Sequence, residues 1–190
     1  MPPPPDRDRT SRQTEAKALF AALRDHAVEA MLLAEKARTD PARFRDHAYY
    51  GFREKLTDFQ ALASLLERRI DETAKDWRLR QEGSAAKAEE ARQQFDRLDL
   101  MMLSLFVRTS RRYFTLLAIS DTRALGAAER LSRDLQALHE ALRRLREPAM
   151  RGRADPTLEA ELTTAILILN DLIGRQTPLT DFDAAPGRGG

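Results

Sequence analysis

Apolar residues return every three or four positions along most of this chain, the spacing of helices with one buried face rather than of alternating strands. The strictest run is Phe52, Leu56, Phe59, Ala63, Leu66, Ile70, Thr73 and Trp77, a heptad seam that calls for a partner helix at a shallow crossing angle. A first helix, opened by Thr10 and Gln13 as a capping box and running from about Ser11 to Arg38, carries a looser stripe. That stripe comprises Leu19, Phe20, Leu23, Ala27, Ala30, Met31 and Ala34. Asp40-Pro41 is an N-cap followed by a first-turn proline, and marks the start of the second helix. A fourth helix, either capped near Ser120-Asp121-Thr122 or continuous with the third, is drawn by Ala128, Leu131, Leu135, Leu138, Leu142 and Leu145 and stopped by Pro148. Asp155-Pro156 repeats the start signal for a fifth, lined by Leu158, Leu162, Ala165, Ile166, Leu169, Leu172 and Ile173 and closed by Gly174.

Gly83-Ser84 suits a turn between the second and third helices. A fold-back there sets Trp77 against Ala91, Thr73 against Phe95, Ile70 against Leu98, Leu66 against Met102, Ala63 against Leu105 and Phe52 against Leu116. Two rows mismatch: Phe59 against Thr109 and Leu56 against Arg112. The third helix holds the most apolar stretch, LMMLSLFVRTSRRYFTLLAI at residues 100–119. As a membrane span it would carry Arg108, Arg111 and Arg112 near the bilayer centre at roughly 2.5–3.5 kcal/mol each. Leu98, Met102, Leu105 and Leu116 face the second helix, whereas Leu100, Leu103, Val107, Phe114 and Leu117 lie on another face. A helix apolar on two faces belongs inside a bundle.

The expected fold is therefore all-α: a five-helix bundle with a long, coiled-coil-like antiparallel hairpin. One domain is expected over residues 11–174, with an arm around 70–97 and disordered tails at 1–10 and 175–190. Composition agrees: 42% of residues are hydrophobic, 33% charged and 6% aromatic, with good helix formers dominant.

Charge changes the picture little. The 32 basic and 30 acidic residues leave a net charge of +2. Arginine accounts for 27 of the bases, a bias that fits phosphate recognition but equally a GC-rich bacterial genome. The absence of cysteine excludes disulfides, thiolate metal sites and cysteine nucleophiles. No transmembrane segment and no secretory signal are read, and a bacterial cytoplasmic location is expected.

Catalytic chemistry is not legible. No glycine-rich phosphate loop and no Gly-x-Ser-x-Gly elbow occurs. None of the three histidines follows a glutamate at the i, i+3 spacing of di-iron bundles, and His26 with Glu29 runs in the reverse order. His139 stands beside Arg143 and Arg144, a setting for phosphotransfer, but Leu142 occupies the place where a lysine is wanted. No catalytic, cofactor or metal residues are assigned. Candidate interaction residues are Trp77 at the hairpin tip, Arg108, Arg111 and Arg112 on the third helix, and Arg143, Arg144, Arg151 and Arg153 near the end of the fourth. The aromatic patch His47, Tyr49, Tyr50 and Phe52 surrounds Gly51, which suggests close approach of another helix. The leading expectation is a non-enzymatic protein that binds another protein, as an adaptor, assembly factor or chaperone-like subunit. Homodimerisation is compatible with any uncovered seam. The alternatives are a nucleic-acid-binding regulator using the arginines and a histidine phosphotransfer protein. LTDF at 179–182 is a candidate docking segment.

Overall fold

The structure is a computed structural model that describes residues 6–39, 46–78, 82–119, 128–148, 150 and 152–176. These form five helices and, among the described residues, no strand: α1 (Asp6–Thr39), α2 (Asp46–Arg78), α3 (Glu82–Ile119), α4 (Ala128–Leu145) and α5 (Leu158–Gln176). All five contribute to one hydrophobic cluster, from Leu23 on α1 through Phe52, Phe106 and Leu131 to Leu169 on α5. α3 is the central element and packs against each of the other four. Its Met102, Leu103, Phe106, Val107, Tyr113 and Phe114 are buried, which places most of the apolar stretch in the core. No described helix is long and apolar enough to cross a membrane.

α2 and α3 form the expected antiparallel hairpin, but in a different register. Tyr49 stacks on Tyr113 with ring centroids 3.9 Å apart and shares a 3.1 Å hydrogen bond with Ser110. The Arg53 guanidinium lies 4.7 Å from the centre of the Phe106 ring. Farther along, Arg92 reaches Glu67 at 2.9 Å and Asp71 at 3.2 Å. Relative to a fold-back at Gly83-Ser84, the facing residues of α3 are displaced by about one heptad toward its N-terminus. α2 ends at Arg78 and α3 begins at Glu82, so Gly83 and Ser84 lie inside α3. Sliding a heptad seam by seven residues returns the same kinds of position to the interface, so spacing alone does not distinguish the registers. The slip gives Phe59 and Leu56 apolar residues at their level, Met102 and Leu105; Leu56, Phe59 and Met102 lie in the core cluster and Leu105 packs against it.

α1 runs antiparallel to α2: Glu29 pairs with Lys55 at 2.7 Å and Glu15 with Arg69 at 3.1 Å. It therefore accompanies α2 as far as Arg69, the level at which the expected arm leaves the bundle. α1 starts at Asp6, earlier than the expected Ser11. Its buried positions are Leu23, Ala27, Ala30 and Ala34. Met31, expected on that stripe, is instead 45% exposed.

α5 begins as its sequence predicts. Asp155 accepts hydrogen bonds from the backbone N–H of Thr157 at 2.9 Å and from its hydroxyl at 2.7 Å, while Leu158 N–H donates to the Asp155 carbonyl. These are the contacts of an N-cap. The connection from α4 turns at Gly152, whose φ of +79° is a conformation that favours glycine. Gly174 does not close α5, which continues to Gln176 without a left-handed residue at Gly174. Gly51 is not a point of close approach, since a Cβ there would meet nothing within 4 Å. The expected caps at Asp40-Pro41 and at Ser120-Asp121-Thr122, and the LTDF segment, lie outside the described residues.

Candidate interaction surface

The arginines proposed as a contact surface are mostly engaged within the chain. Arg108 on α3 pairs with Asp155 at 2.6 Å and Glu161 at 3.4 Å. Arg153 reaches back to Asp96 on α3 at 2.6 Å. Arg144 on α4 pairs with Asp99 on α3, whose side chain is buried. Together they staple the α4–α5 hairpin along α3. Arg143 stays on its own helix, donating to Glu140 and, at 3.0 Å, to Glu147. Those carboxylates raise its pKa further, and Arg143 in turn holds Glu140 below its ordinary value. Arg111 is exposed and Arg112 half-buried on α3. Trp77 is in the last turn of α2, but its side chain, like all of Arg151, lies outside the described residues. The structure thus disperses the predicted patch: Arg108, Arg144 and Arg153 share the α3 interface, and each is matched by carboxylates.

A second polar group is buried between α2, α3 and α4. Asp134 is 4% exposed, and its Oδ1 accepts a 2.9 Å hydrogen bond from Arg53 Nε. Its Oδ2 has no hydrogen-bond partner among the described residues. Burial raises the Asp134 carboxyl above its ordinary value, with Arg53 and the Tyr49 hydroxyl offsetting part of that effect. The Tyr49 phenol is raised too, first by burial and then by the charge of Asp134. Arg130 covers the Tyr50 ring at 5.4 Å. Tyr49 in turn packs against the rings of Tyr113 and Phe114. The arrangement anchors α4 to α2.

The aromatic patch was legible in the sequence, but Asp134 was not singled out. The signal was there. The buried face of α4 is Leu131, Asp134, Leu138, Ala141 and Leu145, a three-four seam with a carboxylate inside it. The expected seam through Leu135 and Leu142 is rotated away, and those two are half-buried.

Elsewhere, Glu29 is held by Lys55 rather than forming a metal pair with His26. No group of three or more potential metal ligands occurs among the described residues. His139 is exposed on α4, and the neighbouring Arg143 is occupied by Glu140 and Glu147.

Exposed large apolar side chains are the remaining surface feature. Val28 is 54% exposed, Met31 45% and Leu32 59%, all on one stretch of α1. Leu65, Met101, Ile119 and Leu167 are exposed on other helices. Single exposed apolar residues are ordinary, but three within five positions of one helix form a continuous patch. No protein-family profile, curated protein or solved structure matches this chain.

Proposed function

We propose that this protein works by binding other proteins through its helix faces, as an adaptor or assembly factor. The observation that carries this reading is the apolar patch of Val28, Met31 and Leu32 on α1, which the core does not use. Burying such a patch removes apolar surface from water, the main favourable term in association between proteins. Nucleic-acid binding is less well supported, because Arg108, Arg143, Arg144 and Arg153 already face carboxylates. Binding phosphate would exchange those pairs rather than satisfy vacant cations.

The test is affinity capture of the tagged chain from its native cells, compared with a Leu32→Glu variant. A stoichiometric partner present with the parent chain and lost with the variant supports the proposal. A partner retained by Leu32→Glu removes α1 as the binding face. Salt-dependent binding to DNA or RNA that disappears when Arg111 and Arg112 are replaced would favour the nucleic-acid alternative.

A further inference from the structure

The α1 patch has a charge frame that is complementary to itself. At 3.6 residues per turn, Val28 and Leu32 occupy the centre of the exposed face, with Met31 beside them. Arg24 and Glu35 lie along one flank of this centre, and Asp25 and Lys36 along the other. All four are exposed. Toward the N-terminus the patch is therefore bounded by a cation then an anion, and toward the C-terminus by an anion then a cation.

We infer that α1 pairs antiparallel with α1 of a second copy of this chain, about a two-fold axis at the level of residue 30. This deepens the proposed binding role of α1 and rests on it. In that arrangement Val28 of each copy meets Leu32 of the other. Equivalent flanks face each other in an antiparallel helix pair, so Arg24 meets Glu35 of the second copy and Asp25 meets its Lys36. Two-fold symmetry makes each pairing occur twice. A parallel alignment in register would set Arg24 beside Asp25 and Glu35 beside Lys36 of the second copy, which are opposite charges too, but it would align the two helix dipoles rather than oppose them. The charge frame thus fits a second copy, and reversing Arg24 and Glu35 together separates the two directions, because in a parallel pair each reversed charge would meet a like charge. The helix is available for this because its inner face, Leu23, Ala27, Ala30 and Ala34, is already packed in the core. The apolar centre is small, so the dimer is concentration-dependent rather than permanent.

Sedimentation velocity of the purified full chain over a concentration series tests the inference. The expected result is a monomer–dimer equilibrium that Leu32→Glu weakens by about tenfold or more. Circular dichroism checks that the variant remains folded. Glu35→Arg alone, which places two cations together, weakens the dimer. Adding Arg24→Glu to it restores association at low salt, because the opposite charges again face each other. A chain that stays monomeric throughout overturns the inference, as does a dimer indifferent to Leu32→Glu or one whose paired charge reversal gives no rescue. A monomer would leave intact the broader proposal of binding a different protein, which the cellular capture tests separately.

Discussion

The two sides of α3 are held by different physics. Toward α2 the contact is mainly a heptad seam finished by aromatic rings, with the Arg92 pairs to Glu67 and Asp71 beside it: Phe52, Phe59 and Leu66 are buried, and Tyr49 stacks on Tyr113. Toward α4 and α5 an apolar contact is framed by Arg153–Asp96, Arg144–Asp99 and the pairing of Arg108 with Asp155 and Glu161. The seam supplies burial but repeats itself, and so tolerates a slip of one heptad in principle. The ion pairs supply less free energy but do not repeat. A slide of α3 by seven residues would put Arg92 or Phe106 at the place of Asp99 and Met101 or Thr115 at that of Arg108, and so break these pairs. Affinity between helices and choice of register are therefore separable properties of this bundle.

The comparison can be broken most forcefully from the α2 side. Phe59→Ala should cost about 3–5 kcal/mol, because the lost transfer free energy is joined by a cavity that close-packed neighbours fill incompletely. Urea denaturation followed by circular dichroism measures it, and a loss below about 1 kcal/mol would show that the seam is loosely packed. Next in size is Arg53→Ala. It leaves the buried Asp134 carboxylate without its cation and should cost about 2–3 kcal/mol, somewhat below a fully buried pair because Arg53 is partly exposed. Replacing both partners, Arg53→Met with Asp134→Leu, should recover most of that loss, since an apolar pair incurs no desolvation cost for charge.

A pH series sharpens the same contact. Burial raises the folded-state pKa of Asp134 above its ordinary value of 3.8. The folded chain thus holds this proton more tightly than the unfolded chain. Its contribution to stability is full below 3.8 and is lost as the pH rises through the folded value. Relative to Asp134→Asn, which does not titrate, the parent chain should lose stability on going upward from pH 3.8 until that loss levels off. A constant difference between the two denaturation midpoints across that range would contradict the assignment. The smallest effect is expected for Arg153→Ala, an exposed pair worth less than about 1 kcal/mol and further screened by salt. If Arg153→Ala instead matched Phe59→Ala, the proposed division between burial and register would be wrong.

The helix start at Asp155 and the burial of the 100–119 segment were readable because both are local: a cap lies within one turn, and apolar periodicity needs no knowledge of the partner. The α4 face predicted through Leu135 and Leu142 differs from the buried one because Asp134 and Ala141 line the core side, and a carboxylate gives no apolar signal along the chain. Likewise, Arg108, Arg144 and Arg153 look like a basic patch along the chain, since the carboxylates that answer them come from other helices.

What the sequence determined by itself is the set of helices and which ones need cover, because hydrophobic period and capping chemistry act over a few residues. Only the tertiary structure decided the register of α2 on α3, the destination of the arginines and the exposure of Val28, Met31 and Leu32. A repeat of seven fits its partner equally well at several offsets, and a charge or an apolar side chain acquires its role only from what is packed beside it.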